Sequence, residues 1–354
     1  MGKKNLTSLD RVFTTMGHNE PDRVPLFLSL TIYGAKELQI PIREYLSCAE
    51  NVVRGQLLMR EKYKHDNASA FFYGTVEYEA WGGEVVFRDN GPPNSTEPIL
   101  RSIQQISHLE IPKFHEQPCL RKVLEATKLL REYLGVSAPI VGVVISPFSQ
   151  PVLQLGFEQY LQLLYFDRDS FNMLMRVNEE FCVNWANAQL GAGATAICYF
   201  DPLASPTIIE KELYMETGYP VARRTLKRIK GPTAVHLASG ITLPVMDEII
   251  NTGTSGLGIS SKDPLDKIKE SAREKVCLIG NLNALDMVNW LPGQVEERVK
   301  SLIAGAGPGG GFILSEDSGE IPWSVSEDIL MEISEAVQRW GNYPLHWVDD
   351  YEEA

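Results

Sequence analysis

Residues 195–201 read TAICYFD and residues 233–239 read TAVHLAS. Both are short, β-rich apolar runs carrying a polar residue at or near the far end, and the chain between them is long enough for helix. Further runs of this kind occupy 24–29, 67–73, 139–146, 255–260, 276–281 and 311–316. Near-continuous apolar runs, rather than strict alternation, suit parallel strands covered on both faces. Between them lie segments of helical period. The stretch 119–134 (CLRKVLEATKLLREYL) repeats apolar residues at spacings of three and four, 158–190 is long enough for two helices, and 265–274 and 294–304 are shorter. Strand–helix alternation with right-handed crossovers builds a parallel sheet, and eight units allow that sheet to close. The expected fold is a single (β/α)₈ barrel of the TIM type spanning 1–354, with an open doubly wound sheet as the competing arrangement. Residues 81–93 (WGGEVVFRDNGPP) break the rhythm. Turn signals at Gly82-Gly83 and Asp89-Asn90-Gly91 mark a small hairpin inserted after the second strand.

Composition narrows the function. The chain has 354 residues, 44% hydrophobic and 22% charged, with a formal net charge of −13. An acidic surface opposes binding to a nucleic-acid backbone or to an anionic membrane. The start, MGKKNLTSLDRVF, has no apolar run behind its lysines, so no signal peptide is expected. No window reaches about eighteen uninterrupted apolar residues, which argues against a membrane span. Cys48, Cys119, Cys182, Cys198 and Cys277 are scattered, without a CxxC pair. A reduced, cytoplasmic protein is expected.

In a barrel of this kind the chemistry sits where strands end at the C-terminal face. Polar residues recur there: Tyr73 after the second run, Asp201 in YFDP, His236 in AVHLAS, Ser260–Asp263 after the sixth run, Asn281 and Asn283 in GNLN, and Glu316, Asp317 and Ser318 in LSEDSGEIP. Each also has a plain structural reading. An Asp before Pro often starts a turn or caps a helix, and a strand His is often a satisfied core residue. Glu316 follows GGGFIL, a run that should be deeply buried, and an unpaired carboxylate there is expensive. It therefore needs a partner or a role. The aromatic residues Tyr73, Phe148 and Trp323 suit either core packing or the wall of an apolar pocket. The glycine run 305–311 (GAGPGGG) lacks the GxGxxG spacing and does not open a helix after a strand, so it is not read as a nucleotide loop. No GxSxG, HExxH or phosphate-binding Walker sequence occurs.

Six segments, taken in order, carry a resemblance: NEPDRVPLF near the start, VEYEAWGGEV, YFDPLASP, the strand-five His236, GNLNALDM, and SGEIPWSVSEDIL. Together they resemble the uroporphyrinogen decarboxylase superfamily, which includes cobalamin-dependent methyltransferases built on the same barrel. The decarboxylases of that superfamily carry an arginine-rich RQAGR element after the PDRVP segment to hold porphyrinogen carboxylates. This chain has LSLTIYGAKEL there, without an arginine, and an octa-acid without those cations is hard to bind. The thiol-methylating members bind zinc through a His-x-Cys pair and a Cys-Gly. At those places this chain has His236, Ala238 and Ser318, so a thiol acceptor such as coenzyme M is disfavoured.

What the resemblance then implies is a methyltransferase that passes a methyl group from a small methylated compound, a methyl ether or a methylamine, to a corrinoid (cobalamin) on a partner protein. His236, Asp201 and Glu316 are the expected catalytic residues. Tyr73, Phe148, Asn281, Ser318 and Trp323 are the expected substrate contacts. Any metal, zinc by the resemblance, would rest on His236 and Glu316. A decarboxylase or lyase on another substrate and a catalytically silent binding member are the alternatives.

Overall fold

The computed structural model describes residues 6–291 and 293–351; Gly2 and the lysines that follow it lie outside them. Among the described residues a seven-stranded parallel sheet forms the centre. Its strands are β1 (Ala68–Ser69), β4 (Ile140–Ile145), β5 (Ala196–Phe200), β6 (Thr233–His236), β7 (Gly256–Gly258), β8 (Cys277–Leu282) and β9 (Phe312–Glu316), in that spatial order. Every neighbouring pair is parallel. A separate two-residue ladder pairs β2 (Val85–Val86) with β3 (Asn94–Ser95) in antiparallel fashion. Its returning strand lies just beyond the range 81–93 marked by the turn residues.

The eighth expected strand, 24–29, is not a strand of the sheet. Leu26 makes one isolated parallel bridge with Leu314. On the β9 side the Phe27 N–H donates to the Leu314 carbonyl at 2.8 Å, and the Leu314 N–H donates to Pro25 at 2.9 Å. On the β1 side there is one backbone bond, from the Asp66 N–H to the Leu26 carbonyl at 2.7 Å, and side chains supply the rest. Asp66 accepts from the Leu26 N–H at 2.9 Å and Asn67 from the Leu28 N–H at 3.1 Å. Pro25 has no N–H to give, which removes one rung outright. The segment thus bonds to both edges of the seven-stranded sheet without joining either as a regular strand.

The apolar periodicity produces helices where it was read. The helices are Pro118–Leu134, the pair Phe157–Phe166 and Arg168–Ala192, then Leu265–Ala272 and Val295–Ala306. They cover the outer face of the sheet. Gly142 of β4 approaches the helix Arg168–Ala192 so closely that an added Cβ would lie 2.7 Å from the Gln189 Oε1. Gln189 in turn accepts from the Val143 N–H and donates to its carbonyl. At the opposite, N-terminal end of the strands lies helix α1 (Ser8–Met16), capped by the Thr7 hydroxyl accepting from the Asp10 N–H. Beside it the PDRVP segment is pinned by charge. Arg23 and Arg11 both bind Asp66, at 2.8 and 2.6 Å, and Arg11 also holds Asp22 at 2.6 Å. No helix of the described residues is long and apolar enough to cross a membrane.

Candidate active site

Inside the curled sheet lies a cavity of about 300 Å³. The parity of the strands builds it. Successive side chains of a strand point to opposite faces, so Val141, Val143 and Ile145 of β4 line the cavity while Ile140 and Val144 are fully buried under the helices. Ala196, Cys198 and Phe200 of β5 and Ala234 and His236 of β6 line it too, joined by Ile197, Thr233 and Val235 from the intervening positions. Most of the wall is apolar. Its titratable side chains, His236, Glu316 and Glu320, all stand at the C-terminal ends of the strands or in the loop after β9, apart from the half-buried Cys198 thiol.

His236 is buried, and its Nδ1 accepts the Ala238 N–H at 3.0 Å. That bond fixes the tautomer: Nδ1 is the acceptor and Nε2 carries the hydrogen. Burial lowers the imidazole pKa, against the opposing charges of Glu316 and Asp317. The ring packs flat against backbone at Gly258, where a Cβ would fall 2.6 Å from the His236 Cδ2. A glycine in β7 is therefore required for the imidazole to sit there.

Glu316 closes β9, and its Oε2 accepts the N–H groups of Ser318 and Gly319 at 2.6 and 2.7 Å. One end of the carboxylate is thereby held by backbone, and the expected partner of the buried charge is this pair of amides. Ser318 also lines the cavity, and its hydroxyl donates to Asp317 at 2.9 Å. Glu320 was not singled out from the sequence. It lines the same cavity and accepts a hydrogen bond from the Thr31 hydroxyl. Burial pushes its carboxyl up to about 7, with the Thr31 bond opposing and the Glu316 charge adding. The available signal was its place four residues after Glu316, in the same loop.

The other expected residues lie elsewhere. Asp201 follows Phe200, which faces the cavity, so strand parity turns Asp201 the other way, and it is absent from the lining. Its Oδ1 accepts from the Ser146 and Ser149 hydroxyls, both at 2.6 Å, while Oδ2 has no partner among the described residues. Burial pushes this carboxyl up to about 6, against those two hydrogen bonds. Tyr73 donates to Glu79 and packs against Phe87, outside the cavity. Phe148 is fully buried among Tyr160, Phe171 and Tyr214. Asn281 donates to the Ser260 carbonyl at 3.1 Å and is not part of the wall. Trp323 packs on Tyr33 under the Lys36 ammonium, again off the cavity.

The uroporphyrinogen decarboxylase (URO-D) family profile matches residues 7–340. The chain belongs to this family. Among relatives, uroporphyrinogen decarboxylase of Idiomarina loihiensis is 22% identical over 349 residues, covering 94% of this chain and 96% of that one. A methylcobamide:CoM methyltransferase of Methanosarcina acetivorans is 26% identical over 250 residues, covering 68% and 72% respectively. Among solved structures, a methyltransferase from Methanosarcina mazei superposes with a TM-score of 0.84 at 22% identity, over 95% of this chain and 99% of that one. At that identity the superposition speaks for the fold.

The zinc set of the thiol-methylating URO-D relatives does not fit the residues present here. Ala238 has no side chain that could bind a metal, and the Ser318 hydroxyl donates to Asp317. Among the described residues no three side chains of His, Cys, Asp or Glu come together as a metal site. Cys198 is the one cysteine of the described residues that lines the cavity, and burial and the Glu316 charge push its thiol up to about 12.

Proposed function

We propose that the chain is a corrinoid-dependent methyltransferase that moves the methyl group of a small methylated compound, a methyl ether or a methylamine, to the cobalt of a corrinoid carried by a partner protein. The observation that carries this reading is the make-up of the cavity. Among the described residues His236, Glu316 and Glu320 border its upper end, and no lysine or arginine lines it. A polycarboxylate substrate would meet apolar walls and two carboxyl groups, with no cation to repay its desolvation, whereas a neutral or basic methyl donor would not. The methylcobamide relative supports the reading. The decarboxylase relative, similar in identity, makes decarboxylation the rival outcome of the test. The segment 24–29 serves in this reading as the eighth stave of one closed barrel domain, with 81–95 as an insertion near its mouth.

When bound, the corrinoid supplies the nucleophile; the chain's own residues orient the donor, exclude water and help the leaving group. The apolar walls hold the donor's body. The His236 Nε2–H donates a hydrogen bond to the oxygen or nitrogen that will leave. Glu320 keeps its proton up to about pH 7 and gives it to that atom as the bond to carbon breaks. Glu316, held by two amides, fixes the loop that carries Glu320. Asp201 acts at one remove: its backbone N–H donates to the His236 carbonyl at 2.8 Å and fixes that strand end. The test mixes the purified chain with a reduced corrinoid protein and a panel of methyl ethers and methylamines, following the cobalt spectrum. Methylated cobalt is expected from an ether or an amine, together with no methylation of coenzyme M or homocysteine by methylcobalamin. Release of carbon dioxide from uroporphyrinogen without methylated cobalt would overturn the assignment.

A further inference from the structure

The cavity does not stop at the strand ends. Its wall includes Ile145, Phe200 and His236 at the top and also Pro139, Thr195 and Pro232 at the very start of the same strands, with Val12, Phe13 and Met16 of α1 below. A barrel of parallel strands is ordinarily filled by layers of bulky inward side chains. Here several of those positions are Ser69, Ala196, Cys198, Ala234 and Gly258, and the void runs the length of the strands. Six residues of β4 span roughly 20 Å of strand, so the space is long and narrow.

Its lower part has few polar groups, and most of their bonds are made within the protein. The Ser69 hydroxyl donates to the Val141 carbonyl, and Asn67 accepts from the Leu28 N–H. The Thr195 hydroxyl accepts from Arg131 and from the Ile140 N–H, and the Thr233 hydroxyl donates to Thr254. With most of these groups bonded within the protein and the rest of the wall apolar, water gains little by entering, and an apolar void of this size binds apolar matter instead.

We propose that the barrel interior is a chain-binding tube. It takes an unbranched apolar body whose polar, methylated end stops at His236, Glu316 and Glu320. The substrate class is thus an amphiphilic methyl donor, in which an apolar chain of several carbons extends from the reacting atom toward α1. This rests on the methyl-transfer reading only for the identity of the reacting end.

The probes are 1-methoxybutane, 1-methoxyhexane and 1-methoxyoctane, with binding measured by calorimetry and methyl transfer by the cobalt spectrum. Affinity should rise roughly threefold to fourfold per added methylene, the value of burying each one. Ala234→Leu, which fills the tube below His236, should end that rise at a shorter chain. Met16→Ala, which shortens a side chain at the floor, should extend it to a longer one and guards against a misfolded Ala234→Leu. A chain-length dependence without methyl transfer would keep the tube and remove the methyl-transfer reading. Methyl transfer from short donors with affinity flat across the series, or a rise untouched by both substitutions, would overturn the tube and leave that reading standing.

Discussion

The two ends of the sheet treat charge in opposite ways. At the N-terminal ends of the strands, Asp22 and Asp66 meet Arg11 and Arg23 in close, nearly dry ion pairs. At the C-terminal ends, Glu316 and Glu320 share a cavity with a neutral imidazole, and no lysine or arginine of the described residues lines it. The first arrangement satisfies its charges and can only hold the chain together. The second leaves Glu320 with a pKa of about 7 and the His236 Nε2 without a hydrogen-bond partner among the described residues. Perturbed groups facing a cavity are what proton transfer needs. The contrast separates a structural pole from a chemical one, in keeping with the division of labour in this architecture.

The largest expected effect falls at the structural pole. Asp66 accepts from Arg11, from Arg23 and from the Leu26 N–H. Asp66→Ala leaves the buried Arg23 without a carboxylate and Arg11 with Asp22 alone, and it frees the segment that bonds to both sheet edges. It should cost about 3–5 kcal/mol in denaturant unfolding, while the protein that remains folded keeps its methyl-transfer rate. Full stability in that variant would mean the cluster is not the clamp described here.

A smaller effect, of opposite sign at the two poles, is expected from pH. Burial alone would raise the Asp22 carboxyl, but the hydrogen bond and charge of Arg11 outweigh it and hold it low. A carboxylate depressed in the folded state contributes stability above its unfolded pKa, near 4, and that contribution is lost as pH falls through the folded value. Glu320 is raised, to about 7. Between roughly pH 4.5 and 7 the folded state binds the extra proton, so stability falls as pH rises through this window. Glu320→Gln should flatten part of that fall in unfolding midpoints. Part should persist, because burial also raises Glu77 to about 8 and Asp201 to about 6. An unchanged slope would show that Glu320 is an ordinary surface carboxylate.

Much of this was legible in the sequence. The apolar runs at 139–146, 195–201 and 276–281 each deliver a strand, because parallel strands covered on both sides need continuous apolar stretches. His236 and Glu316 were legible as polar groups at the ends of such runs, and both border the cavity. Segment 24–29 reads as a strand because its side chains are apolar. What breaks it is Pro25 and the side chains of Asp66 and Asn67, partners some forty residues away. Asp201 follows Phe200, which faces the cavity, and alternation along the strand turns its carboxyl to the Ser146 and Ser149 hydroxyls. Phe148 and Tyr73 lie in loops after their strands, where periodicity gives no direction. Glu320 gained its character from burial and from Thr31, which no local pattern announces.

His236 decides between the two poles most directly, since it is buried enough to be structural and placed well enough to be chemical. One preparation of His236→Ala should be followed by thermal melting and by single-turnover methylation of the corrinoid protein. The account predicts that the variant folds and that methyl transfer falls by about a hundredfold or more, the scale of lost acid–base assistance. A variant with a lowered melting temperature and near-normal transfer would contradict it.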